Sequence, residues 1–221
     1  MKIRLFILGS VLALMSFNAA AQASQDNAAA EYMKIVTVRA QKIVDKLGIQ
    51  DTAKYRRVTM IIAEQYRDLN AIHDERDGKV KEIKAQEIEE KEKKIKMLES
   101  EADVKLYNLH CAYIGKLSAE LNYEQIDAVK DGMTYGVLPL TYQSHLDMIS
   151  TLTEEQKRYI YAALAEAREH AMNAESSNKK HGWFGKYKGR INNYLSAQGY
   201  DLKKEREAWN ERIKEANRKE Q

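Results

Sequence analysis

The sequence predicts an all-α fold: a multi-helix bundle of about six helices with a protruding charged helical hairpin. Three observations carry this. The 221 residues include only one Pro and ten Gly, so the chain has few breakpoints. Charged residues make up 31% of the chain and are interleaved with apolar residues in long runs of period close to 3.6. Two stretches, Leu121-Asn122-Tyr123-Glu124-Gln125 and Leu152-Thr153-Glu154-Glu155-Gln156, have the form of a capping box. Asn122 or Thr153 accepts from the first free N–H groups of a helix, and a Gln three residues on reaches back to the cap's own N–H. In the first copy Leu121 and Ile126 occupy the two positions of a hydrophobic staple; in the second the matching position is Lys157.

The chain opens with Lys2 and Arg4, an apolar run from Leu5 to Phe17, and small residues around Ala19 to Ala23. Residues 1–23 therefore read as a cleaved signal peptide, and 24–221 as a single helical domain. The apolar run is too short to span a bilayer comfortably, and no later stretch is apolar for long enough to cross one. Periplasmic or secreted residence is the expectation. The leader removes two basic groups and no acid, which leaves the mature chain close to neutral. A general electrostatic attraction for nucleic acid is therefore excluded, and any basic surface must be local.

The mature elements follow in order. Glu31 to Lys46 is a first helix with Val36, Ala40, Ile43, Val44 and Leu47 on its apolar face, and Gly48 stands where a C-terminal cap belongs. Asp51 caps a second helix with the stripe Tyr55, Val58, Ile62, Tyr66, Leu69 and Ile72. From about 74 to 101 the apolar residues thin out and opposite charges recur three or four apart, as in Glu87–Lys91 and Glu89–Lys93. One straight helix from Asp51 to Ala119 would be on the order of 100 Å long, so a hairpin is expected, with Gly78 as hinge and Ser100 capping the returning arm. This arm is either a solvated appendage or a surface for a partner helix.

Cys111 is the only cysteine and has no internal disulfide partner. Its apolar neighbours on the helix place it in the core as a small buried residue; the alternatives are an intermolecular disulfide or a nucleophile. After the first capping box, Gly132 and Gly136 permit unusual backbone angles in an apolar connection. Pro139 follows, and Thr141 is the expected cap of a short helix through Ile149. The Thr153 helix is lined by Ile160, Ala163, Leu164, Ala167, Ala171 and Ala174, and Ser176-Ser177-Asn178 ends it. Asp201 caps a last helix bearing Leu202, Trp209, Ile213 and Ala216.

The segment Lys179 to Leu195 is the most distinctive in composition. It carries basic residues and no acid, interleaved with Trp183, Phe184, Tyr187 and Tyr194. Aromatic planes beside cations stack on sugar rings or cover apolar peptide segments. Trp183, Tyr187, Arg190, Lys186 and Tyr194 are thus candidate ligand-binding residues for a polypeptide or a polysaccharide. The bland alternative is a helical core stripe of Phe184, Tyr187, Ile191 and Tyr194 or Leu195 with the lysines as its wet face. Gly182 and Gly185 point to a tight entry around Trp183 that leaves its indole partly exposed.

The five histidines include no metal-spaced pair, and no nucleophile elbow or phosphate loop occurs. The sequence calls for no metal and no cofactor. An enzyme would rest on Asp131 as the carboxylate and His110 or His145 as its polar partner, in a hydrolase or lyase acting on saccharides.

The two Leu-led capping boxes resemble the repeated Leu-Thr-x-x-Gln motif of periplasmic ATP-independent chaperones of the Spy and CpxP type. That likeness implies a helical homodimer with a concave cradle for unfolded polypeptide. The run Val129-Lys-Asp-Gly-Met-Thr-Tyr-Gly-Val-Leu-Pro139, with Trp183-Phe-Gly-Lys-Tyr-Lys-Gly-Arg-Ile-Asn-Asn-Tyr-Leu195, resembles a secreted Bacteroidetes family catalogued only as a domain of unknown function. This second resemblance spans nearly all of the mature chain. It implies export and genomic neighbours devoted to polysaccharide use, and it implies no catalytic residues.

Overall fold

A computed structural model describes residues 27–219, and the signal-peptide segment lies outside them. Among the described residues there are eight helices and no strand. They are α1 (27–44), α2 (Thr52–Lys84), α3 (Lys91–Glu120), α4 (Tyr123–Met133), α5 (Val137–Met148), α6 (Glu154–Met172), α7 (Ser177–Ala197) and α8 (Leu202–Lys219).

The local signals that hold are side-chain caps. Asp51 accepts from the N–H groups of Ala53 and Lys54 at the start of α2. Both capping boxes form in full, at Asn122/Gln125 for α4 and Thr153/Gln156 for α6. Asp201 accepts from Lys203 and Lys204 at the start of α8. Gly48 closes the turn after α1 at φ 67°, the left-handed region open to glycine.

The hairpin is α2 and α3, and its turn lies at 85–90, past the expected hinge at Gly78, which is helical. Ser100 is no cap either. It sits within α3 and its hydroxyl donates back to the Lys96 carbonyl. The returning arm starts instead after Glu90, which takes a left-handed φ of 56° without capping through its side chain. α5 starts at Val137, earlier than Thr141 suggests. Gly136 turns the chain at φ 66°, and Pro139 fits in the first turn, where a missing N–H leaves no bond unmade. Ser176 caps α7 by accepting from the Lys179 N–H, so Ser176-Ser177-Asn178 begins a helix as well as following one.

Two hydrophobic cores result. The first gathers α1–α4 around Val36, Val58, Ile62, Tyr113, Leu117, Val129 and Met133. The second gathers α5–α8 around Ile149, Ile160, Leu164, Phe184, Ile191 and Leu195. α6 serves both: Leu164, Ala167 and Ala171 face the second core, and Met172 packs into the first.

Cys111 is exposed, contrary to the expectation of a core position. The buried stripe of α3 is Ala102, Leu106, Tyr113 and Leu117. At 3.6 residues per turn Cys111 lies about 140° round the helix from Leu106, on the outer side with exposed Met97 and Val104. Apolar residues on two sides of α3 imitate a fully buried helix, but only one side is covered.

Candidate functional site

A cleft of about 710 Å³ opens between the hairpin and the α6–α7 pair. That volume falls in the range of about 300–1,000 Å³ usual for small-ligand sites. One wall comes from the first core's helices: His73 and Arg76 of α2, and Asp103, Leu106 and Tyr107 of α3. The other comes from His170 near the end of α6, Asn173 and Glu175 in the connection, and Asn178, Lys179, Trp183 and Lys186 of α7.

Helical spacing explains how α7 divides its side chains. Phe184, Tyr187, Ile191 and Leu195 form the buried stripe. Trp183 falls one residue off that stripe and is half-buried at the cleft's edge. Its indole stacks on the His170 ring at 4.4 Å between centroids and 13° between planes, and the Lys186 ammonium lies 5.0 Å from its centre. The helix passes straight through Gly182 and Gly185, with open space where a Cβ would project, so the expected tight entry is ordinary helix, while the indole is partly exposed.

The sequence-derived binding set therefore divides. Trp183 and Lys186 line the cleft. Tyr187 is buried, and its hydroxyl donates to Glu166 at 2.5 Å. Arg190 lies over the Tyr187 ring at 4.7 Å and 3.6 Å from Glu166. Tyr194 stacks on Tyr159 at 3.8 Å. Tyr187 thus belongs to the core stripe of α7, Arg190 and Tyr194 pack beside it, and none of the three lines the cleft.

The enzyme candidates also separate. Asp131 accepts from Arg168 at 2.7 Å; desolvation raises its pKa, with the guanidinium opposing. His110 Nε2 lies 3.0 Å from Glu169, and its Nδ1 lies 3.3 Å from the Asn173 side-chain oxygen. His145 is buried in the second core. Its Nδ1 donates to the Thr141 carbonyl at 2.7 Å, and burial holds its pKa low. Neither histidine hydrogen-bonds to Asp131.

What Asp131 and His110 belong to is a polar seam between the two cores. Arg168 of α6 bonds to both Asp127 and Asp131 of α4. Glu169 accepts from Lys130 at 2.8 Å as well as meeting His110. Burial would raise the Glu169 pKa, but those two partners outweigh it and bring it down to about 2. The seam reaches the cleft at Asn173, whose backbone carbonyl accepts from His73 Nε2 at 2.8 Å. His73 is 4% exposed and its Nδ1 has no partner among the described residues. Composition offered no signal for the hairpin wall. A signal for Arg168 does exist in Tyr161, Ala165, Arg168 and Met172, a second stripe on α6 beside the alanine one.

Fold and site together define an all-helical protein with two cores and a ligand-sized cleft between them. The chain belongs to the family described as protein of unknown function (DUF3826), whose model matches residues 33–215, from within α1 to within α8. No curated protein matches the chain.

Proposed function

We propose that this is an exported, non-enzymatic binding protein that holds a saccharide in the cleft between the hairpin and α7. The observation that carries the reading is the placement of Trp183: a half-buried indole at the edge of a ligand-sized cleft, amid amide, imidazole and charged groups. Saccharides present apolar ring faces and many hydroxyls, and sites for them combine an aromatic surface with polar groups that fix orientation. Export rests on the leader-like residues 1–23. Catalysis by Asp131 with a histidine has less support, because Asp131 is held by Arg168 and each histidine by another partner.

The test uses Trp209→Phe as background, which leaves Trp183 as the sole tryptophan reporter. Neutral and acidic oligosaccharides and a reduced, carboxymethylated polypeptide are titrated in turn. A saccharide is expected to shift Trp183 emission. By calorimetry on the otherwise unmodified chain, Trp183→Ala should weaken its binding at least tenfold and Tyr194→Ala should leave it unchanged. Binding of the polypeptide alone, or saccharide binding indifferent to Trp183→Ala, would remove the proposal.

A further inference from the structure

We propose that the cleft selects an acidic saccharide, one whose ring carries a carboxylate or sulfate that the α7 wall receives. This rests on the reading of the cleft as a saccharide site and adds the charge of the ligand to it.

The argument starts from the distribution of charge. Between Ser176 and Tyr200 the sequence contains no acidic residue. Lys179 and Lys186 both line the cleft from α7, and neither makes an ion pair among the described residues. Lys180, between them in sequence, is withdrawn from the set: it is buried and donates to the Ala171 and Met172 carbonyls at 3.0 and 3.2 Å. The N-terminal turn of α7 also borders the cleft at Asn178 and Lys179, and its helix dipole adds positive potential on the same side.

The opposing charges are already engaged or lie across the cleft. Glu175 is 3.6 Å from Arg76, which also pairs with Asp77. Asp103 stands on the α3 wall without a salt-bridge partner among the described residues. The cleft is thus polarised: one wall holds two ammonium groups without an ion pair among the described residues, that of Lys186 resting over the Trp183 ring, and the other holds the Asp103 carboxylate. His73, buried at the α2 wall with an unpartnered Nδ1, is a second polar group left without its complement.

A ring with an anionic substituent on one edge and hydroxyls on the other complements this layout. The anion meets Lys179 and Lys186, and a hydroxyl donates to Asp103. Charge-assisted bonds of this kind are about twice as strong as neutral ones. A neutral ring of the same shape leaves both ammonium groups to water and gains only the weaker half of the contacts.

The experiment is calorimetric titration of the chain with tetragalacturonate, with its methyl ester, with a chondroitin sulfate oligomer and with xylotetraose. The ester keeps the backbone and removes the charge. Binding of tetragalacturonate or the sulfated oligomer at least tenfold tighter than the two neutral probes supports the proposal, and because tetragalacturonate carries carboxylates only, its binding shows that a carboxylate suffices. That affinity should fall as salt is raised from about 50 to 200 mM, because charges at the mouth of a cleft are screened. The double variant Lys179→Gln/Lys186→Gln removes two exposed ammonium groups and should abolish the preference while its helical circular dichroism is unchanged. Equal binding of acid and ester, or tighter binding of xylotetraose, overturns the acidic preference and keeps the saccharide reading. Binding of none of the four overturns both.

Discussion

Arg168 is the residue on which the junction of the two cores depends most. It is 3% exposed and bonds to Asp127 and Asp131, and its Nε, 4.0 Å from Glu169, has no hydrogen-bond partner among the described residues. Removing one member of a buried ion set leaves the others uncompensated, at about 3–5 kcal/mol. Arg168→Ala is therefore expected to lower stability by about that amount in a urea titration. Arg190→Ala, which removes an exposed cation paired at 3.6 Å, should change it by at most about 1 kcal/mol. Glu169 adds a pH dependence. Its carboxyl sits at about 2 in the folded protein against 4.5 for the ordinary group, a folded value below the unfolded one. Its stabilisation is therefore complete above about pH 4.5 and is lost as pH falls toward 2. Urea midpoints measured from pH 6 to pH 2 should fall less steeply for Glu169→Gln than for the wild-type chain.

Lys180 shifts in the opposite pH range. Burial, aided by the nearby Arg39 charge and opposed by Glu175, brings its ammonium down from 10.5 to about 8. A base with a lowered folded pKa binds fewer protons folded than unfolded between those two values. Stability thus rises with pH there, after a charged-group penalty that is fully present below about pH 8. The wild-type protein should gain stability between about pH 8 and 9.5, read as a rising urea midpoint. Lys180→Met should lose that rise.

At the scale of elements, the caps and the hairpin are the two devices that the sequence exposes most clearly, and they differ in what they stabilise. The Thr153 cap satisfies an N–H that no helix can satisfy for itself, so Thr153→Ala should cost about 1 kcal/mol. Asn122→Ala should cost a similar amount, and the two losses should add, because the caps share no partner. The hairpin tip makes no such contribution. No residue between His73 and Ala102 is buried, although Lys105 and Lys79 meet Glu75 near its base. Replacing residues 79–96 with a short Gly-containing turn should leave the thermal midpoint nearly unchanged. Amide exchange should be faster at the tip than in the segment of α2 around Ile62.

The same elements show what could be read and why. Capping boxes are local, so Asn122, Thr153 and Asp51 declare themselves from their neighbours alone. Trp183 stood out because it is the aromatic that the α7 stripe does not explain. The α3 cysteine went wrong because periodicity reports which side of a helix is apolar and not whether another helix arrives to cover it. The hairpin wall of the cleft was not legible for a related reason. His73, Arg76 and Asp103 are ordinary residues in a charged run, and only the return of α3 along α2 sets them opposite Trp183.

At the scale of the molecule, the arrangement of two cores raises the question of whether they unfold together. The seam between them is polar, with Arg168, Glu169, Lys130 and His110 at its centre, and polar interfaces hold domains less firmly than apolar ones. Against this, α6 cannot be assigned to one side. Its Leu164 and Ala167 are fully buried in the second core, and its Met172 is 1% exposed in the first. Unfolding the second core alone would release α6, strip Met172 from the first and leave Asp127 and Asp131 without their guanidinium. The separated state is thus penalised on both counts, and a single cooperative transition is expected. Both tryptophans, Trp183 and Trp209, pack against the second core, whereas far-ultraviolet circular dichroism reports helices of both. Coincident urea midpoints from fluorescence and circular dichroism would show that α6 couples the cores. A fluorescence transition that precedes the loss of helix would show that the second core opens independently.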